Sequence, residues 1–191
     1  MAMTPIKLST DLHRQEVINH LLSLDLEDLR LRFGYMPTEY VIEKYVTDSW
    51  TKKSGRWFGV YDAEHDGLIA TLHIAIIDQD SAEFGFTVSK DQRKKGIGDT
   101  LFKRGVLWAT ARNKNNIFMH CLSENQAIKK IAKNNSMHVV TLSDGESEAD
   151  LVLQSNATAK FSEALVDNMA VYDMLLVNQQ KFWFNIFRKT L

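Results

Sequence analysis

Arg93, Gly96 and Gly98 fall together in the run DQRKKGIGDTLF, Asp91 to Phe102, where Arg93, Lys94 and Lys95 form the one dense basic cluster of the chain. An apolar, strand-like run, AEFGFTV (82–88), precedes them, and a helix-like run, DTLFKRGVLWATARN, follows. A helix N-terminus presents unpaired backbone N–H groups and the positive end of the helix dipole. Glycines let an anion reach the backbone without a Cβ in the way, and neighbouring Arg and Lys add charge. The chemistry that suits this junction is the binding of a pyrophosphate. Three readings compete with one another on the motif alone. A dinucleotide fingerprint needs a third glycine where Leu101 stands, with an acidic residue after the next strand, and only Glu124 comes near. A nucleotide-binding Gly-x-x-x-x-Gly-Lys-Ser/Thr string does not occur. The third reading is a glycine turn that merely starts a helix.

The remaining chemistry-bearing residues are scattered. The single cysteine, Cys121, rules out an internal disulfide and sits in the apolar run NIFMHCL, which suits a buried, inert thiol. The six histidines (13, 20, 65, 73, 120 and 138) have no metal-ligand spacing, so no metal is expected; His73 and His120 read as core or edge residues of strands. With 23 Lys plus Arg against 24 Asp plus Glu, the chain lacks the basic excess of a nucleic-acid binder. The N-terminus has no signal-peptide core, and the longest apolar stretch, GLIATLHIAII, is too short to span a bilayer. A cytoplasmic protein is expected, with no nucleic-acid or membrane partner.

The elements that must position these residues follow from periodicity. STDLHRQEVINHLLSLD reads as a helix capped by Ser9 or Thr10, with Val17, Leu21, Leu22 and Leu24 on its apolar stripe. LEDLRLRFGYM reads as a turn region. PTEYVIEKYVTDSW reads as a helix with Pro37 in its first turn and Tyr40, Val41, Lys44 and Tyr45 recurring at helical spacing. Strands are expected at 56–62, 67–78 and 81–89, with Gly85 marking a bulge or the close approach of another group. A helix over about 98–113 should bury Leu101, Phe102, Gly105, Trp108 and Ala109. A strand at 116–122, a helix at 124–135 and a hairpin around DGES complete the core. The tail is helical and apolar near Phe182, Trp183, Phe184, Ile186 and Phe187, which suits packing on the sheet or on a second subunit in a homodimer. At 191 residues this is one mixed α/β domain, with a core over about 6–155 and a helical extension over about 157–190.

Arg93-x-x-Gly96-x-Gly98 after a strand and before a helix resembles motif A of the GNAT N-acetyltransferase superfamily. About 27 residues on, SENQAIKKIAKNNSM is similar to motif B, in which an Asn precedes a helix, and LEDLRLRF is similar to the acceptor-side helical region. The likeness covers about residues 10–155. It implies a mostly antiparallel sheet splayed at the cofactor site, flanked by helices. It also implies acetyl-CoA as acyl donor and an amine acceptor, either a small molecule or a protein. Backbone amides of Lys94, Lys95, Gly96, Ile97, Gly98 and Asp99 would wrap the pyrophosphate, with charge from Arg93, Lys94 and Lys95. Phe86, Thr87 and Val88 would run beside the pantetheine arm as one strand runs beside another, and Asn125 would touch the cofactor.

Acetyl transfer needs a base for the amine and an N–H for the oxyanion. Val88 holds the family-like position for the oxyanion. Glu83 is the candidate base, since alternation puts Glu83, Gly85 and Thr87 on one face of their strand. The sequence departs from the family at Ala132, where many members carry a Tyr that protonates the leaving sulfur, and at Ser136-Met137, which replaces a Gly-aromatic pair. Ser123 is a weak substitute donor. For acceptor binding the residues to look at are Phe33, Tyr35 and the Arg30–Arg32 pair, the arginines reading otherwise as surface ion pairs with Glu27 or Asp28. Two rival readings are a non-catalytic acyl-CoA-binding module on the same fold and an assembly protein whose glycine loop is only structural.

Overall fold

The computed structural model describes residues 4–51, 55–62, 65, 67–142, 145–153, 158–160 and 162–171. Strand β1 (Ile6–Leu8), three residues unforeseen in the sequence reading, leads into helix α1 (Asp11–Leu22). Thr10 caps α1 by accepting from His13 N–H, and His13 Nδ1 accepts in return from Thr10 N–H. Val17, Ile18, His20 and Leu21 are its buried side, while Leu22 and Leu24 are only partly covered.

LEDLRLRF is a helix, α2 (Leu26–Phe33), which corrects the turn expected there. Asp25 Oδ1 accepts from Asp28 N–H at 2.9 Å and starts it; Gly34, at φ +80°, ends it. Only Leu29 is buried, so the apolar periodicity that would announce a helix is nearly absent. Helix α3 (Glu39–Thr51) buries Ile42, Val46 and Ser49, whereas Tyr40 is 70% exposed. Pro37 lies just ahead of the cap, Thr38, whose hydroxyl and carbonyl accept from Val41 and Ile42 N–H, rather than within the first turn.

Next come strands β2 (Gly55–Tyr61), β3 (Leu68–Ile76) and β4 (Ser81–Val88), then helix α4 (Ile97–Thr110), strand β5 (Asn116–Leu122) and helix α5 (Gln126–Asn134). A hairpin of β6 (His138–Thr141) and β7 (Glu146–Val152) follows. The sheet order is β1-β2-β3-β4-β5-β7-β6. Every neighbouring pair is antiparallel except β4 and β5, which are parallel.

Two apolar layers cover the sheet. On one face α4 presents the expected Leu101, Phe102, Gly105, Trp108 and Ala109, with Ile97 and Arg104, against Leu72, Phe84 and Phe86. On the other face Val17, Leu21, Ile42 and Val46 of α1 and α3 pack with Trp57. Helical residues 162–171 are tied to α4 by the ion pair of Arg104 with Asp167 and to the turn after it by that of Arg112 with Glu163. The aromatic residues 182–187 of the tail lie outside the described residues. None of the described helices is long and apolar enough to cross a membrane.

Candidate functional site

The site is made where β4 and β5 stop pairing. Their parallel ladder covers only Ser81–Glu83 against Asn116–Phe118, and the strands then diverge. The gap opens a cleft of about 780 Å³, lined by β4, α2, the loop 92–96 and the N-terminal turns of α4 and α5. Backbone direction at this edge follows from two bonds: Ser81 C=O accepts from Ile77 N–H, and Ser89 N–H donates to Ile69 C=O. Both odd-numbered residues point to β3, so pleat alternation turns the N–H and C=O of Phe84, Phe86 and Val88 toward the cleft. Arg93 Nε donates to the Val88 carbonyl at 3.3 Å, leaving the Val88 N–H at the open edge.

The loop beyond Val88 makes a short 3-10 turn at Lys90–Gln92 and then enters the left-handed region twice, at Lys94 (φ 64°) and Gly96 (φ 79°). These two reversals bring the chain onto the axis of α4. The first backbone bond of α4 runs from Thr100 N–H to Gly96 C=O, so the amide N–H groups ahead of it have no intrahelical acceptor. Nothing lies within 4 Å of where a Cβ on Gly96 would sit. Gly98 is different: its Cβ would meet Ile131 Cδ1 at 2.6 Å, so this glycine also lets α5 pack against α4.

Glu83, Phe86, Thr87, Val88, Arg93, Lys94, Gly96, Ile97, Gly98, Asp99 and Asn125 all line the cleft. Lys95 does not; its ammonium donates to Gln92 Oε1 at 2.8 Å. Arg93 already carries an ion pair with Asp28 of α2. Thr87 faces the core side, where its hydroxyl meets His20 Nε2 at 2.9 Å and Thr71 Oγ1 at 2.6 Å, and its backbone N–H and C=O point to β3, so it offers the cleft neither a free hydroxyl nor a free amide. Asn125 caps α5 by accepting from Ile128 N–H and donates to Leu31 C=O, which joins α5 to α2. Ala132 is fully buried off the cleft, and its methyl group has no proton to give a thiol there. Ser123 is turned away too, bonded to Glu146 C=O and Ser147 Oγ.

Gly85 forms no bulge. The β3–β4 register is unbroken from Ala70↔Val88 to Ile76↔Ala82. Its missing Cβ serves the second expectation, close approach: a Cβ there would lie 2.5 Å from Arg32 Cζ. The guanidinium lies flat on the strand.

Two groups of residues at and behind the cleft have partners that the sequence does not show, although Glu83 is the candidate base and Arg32 a candidate for acceptor binding. The first is a row across three strands. Glu83 is paired in register with Phe118, two residues before His120, and His120 is the cross-strand partner of Glu148. His120 Nδ1 is 3.3 Å from Glu83 Oε1, and its Nε2 is 2.7 Å from Glu148 Oε2. His120 is therefore neither a core nor an idle edge residue. The second is Arg32 with Tyr45 and His73: Arg32 donates to the Tyr45 hydroxyl at 2.7 Å, which stands 2.6 Å from His73 Nδ1. Burial, with the Arg32 charge second, holds His73 down at about 3, so the ring is neutral beside the Tyr45 hydroxyl. Cys121 also borders the cleft, half-buried rather than fully so, and burial pushes its thiol up, away from the reactive thiolate. Among the described residues no cluster of His, Cys, Asp or Glu is arranged to hold a metal ion.

The sheet is split at a parallel pair, with a bare strand edge, a helix N-terminus at one lip and the Glu83–His120–Glu148 row at the other. Residues 21–134 match the Acetyltransferase (GNAT) family, and the chain belongs to it. Similar solved structures include the GNAT domain of PAT from S. lividans, with TM-score 0.67 and 16% identity over 78% of this chain and 89% of that one. Spermidine N-acetyltransferase from Vibrio cholerae, solved in complex with CoA and spermine, aligns with TM-score 0.64 and 17% identity over 80% and 96%. The ribosomal L7/L12 α-N-protein acetyltransferase RimL, solved in complex with CoA, aligns with TM-score 0.61 and 13% identity over 81% and 97%. At these identities the likeness is one of fold. No curated protein matches the sequence.

Proposed function

We propose that the chain, read as one domain, is an N-acetyltransferase that moves the acetyl group of acetyl-CoA directly to a primary amine. The observation that carries this is the edge of β4 beyond Glu83, which β5 leaves bare inside a cleft that ends at the α4 N-terminus. In this reading the α4 amides and Lys94 hold the pyrophosphate, with Arg93 exchanging Asp28 for it. The pantetheine amides pair with the Val88 N–H as an added strand. The thioester then lies further along the gap, where the Phe86 N–H faces its carbonyl oxygen; Val88, the position the resemblance implied for this role, adjoins the pyrophosphate loop and lies about 16 Å along the strand from Glu83.

The chemistry divides among few groups. The neutral amine attacks the thioester carbon, the C–N bond forms, and the oxyanion is met by the Phe86 amide. Glu83 takes the proton from nitrogen, with His120 and Glu148 behind it to hold its carboxylate in place and spread the charge. The C–S bond breaks and the CoA thiolate leaves, regaining a proton through water. A thiol near 8.5 in pKa is a tolerable leaving group, so the alanine at 132 is compatible with turnover.

Calorimetric titration with acetyl-CoA, with NADH as control, and the rate of Glu83→Gln test the reading. Micromolar acetyl-CoA binding is expected, unchanged in the variant, with turnover down by about 10²–10⁴-fold. A wild-type protein blind to every CoA species would sink the whole reading; an unaltered rate in Glu83→Gln would remove only that residue's role.

A further inference from the structure

Among the described residues one cation of the cleft, Arg32, has no carboxylate partner. Arg32 is half-buried on the cleft wall, and the carboxylates around it are already engaged: Asp28 with Arg93, Glu27 and Glu124 with Arg30, Glu83 with His120. Among the described residues no carboxylate forms an ion pair with it. A charge withdrawn from water without a partner is costly, and a planar guanidinium is built to take a carboxylate through two parallel N–H bonds.

The fold nevertheless fixes this side chain in place. Gly85 leaves the space it occupies, the Tyr45 hydroxyl accepts one N–H, and the rings of Phe33 and Tyr45 lie 5.1 and 5.6 Å from Cζ. The guanidinium can only donate, so the Tyr45 oxygen receives from Arg32 while His73 Nδ1, 2.6 Å away, holds the hydroxyl in place. Such a fixture is more than a solvated surface arginine needs.

Its location tells which substrate it serves. Gly85 and Glu83 share a strand face and lie about 7 Å apart, within reach of one small molecule. The pyrophosphate loop begins beyond Val88, about 10 Å further along the strand. Arg32 also enters from α2, on the sheet face opposite α4.

We infer that Arg32 selects the acceptor by receiving a carboxylate next to the reacting amine, so that the acceptor is an amino acid or a similar zwitterion. This rests on the acetyl-transfer reading above. The amine points to Glu83 and His120 while the carboxylate lies on Arg32, which presents nitrogen to the thioester in one orientation. A site made to bond a charged group discriminates strongly against the analogue lacking it.

The test uses the full chain, acetyl-CoA and a panel of free amino acids, each against its carboxamide, with putrescine and spermidine as carboxylate-free amines. Thiol release gives the rates, and calorimetry gives acetyl-CoA affinity separately. At least one free amino acid should exceed its carboxamide by about tenfold or more in kcat/KM. Arg32→Met should raise KM for the amino acid by about 10- to 100-fold, erase the preference over the amide and leave acetyl-CoA affinity unchanged. Gly85→Ala, which displaces the guanidinium without deleting it, should reproduce the acceptor defect in a folded protein.

Equal use of acid and amide, turnover of polyamines alone, or no turnover of any carboxylate-bearing acceptor would overturn the inference while leaving acetyl-CoA binding intact. So would an Arg32 requirement that followed a carboxylate on the acyl chain, seen with succinyl-CoA and a carboxylate-free amine. Absence of acetyl-CoA binding would remove the underlying reading as well.

Discussion

His20 and His73 stand inside the acceptor-side layer as neutral rings, burial holding them at about 4 and about 3. His20 donates from Nδ1 to Leu68 C=O and accepts at Nε2 from Thr87, so α1 braces the strand that carries the cleft edge. Both values lie below the 6.5 of an unfolded histidine, so below pH 6.5 the unfolded chain binds protons that the folded chain refuses. Stability is therefore fully present above pH 6.5 and declines as pH falls toward 4 and 3, by about 1.4 kcal/mol per pH unit for each ring. Urea unfolding between pH 7 and 4 should show this slope, and His20→Gln should reduce it by one proton's worth. A slope unchanged by the substitution would mean that His20 already binds a proton when folded.

At the scale of elements, α2 joins the two lips of the cleft. Asp28 holds Arg93 of the loop, Asp25 holds Lys90, and on the far lip Arg30 pairs with Glu124 while Leu31 C=O accepts from Asn125. The Asp28 pair competes with any phosphate for Arg93. Asp28→Asn removes that competitor together with a negative charge beside the loop, and should tighten CoA about two- to fivefold. A titration at two salt concentrations would check it, since the gain should shrink at high salt. Weaker binding would mean that the pair chiefly holds the loop in shape. This helix was hard to see in the sequence because its signals are its caps, Asp25 and Gly34, and one buried leucine. Helices α4 and α5 were legible because their apolar stripes and their caps occur within one short run of chain.

For the molecule as a whole, the cleft lies between layers that meet through the sheet and through the bonds of α2 to both lips, so a ligand spanning it should stabilise the entire domain. At 100 times its Kd, acetyl-CoA should add about 2.7 kcal/mol, a thermal shift of about 5–10 °C for a chain of this size. A shift in the first unfolding step alone would show that the layers melt separately. The sequence by itself determined the mixed α/β class, the strand–loop–helix junction at 93–98, the capping Asn125 and the acidic strand residue Glu83. Each is legible because its cause is local: alternation, helical spacing, a glycine where the chain reverses, a cap one turn before its acceptor. Only the tertiary structure decided that β4 and β5 part after Glu83, that His120 and Glu148 stand behind it, and that Gly85 is vacant for Arg32. Those partners are 37 and 28 residues apart along the glutamate–histidine row, and the arginine comes from a different helix. Register across three strands sets the first, and the docking of α2 on the sheet sets the second. Neither leaves a periodic trace in the chain.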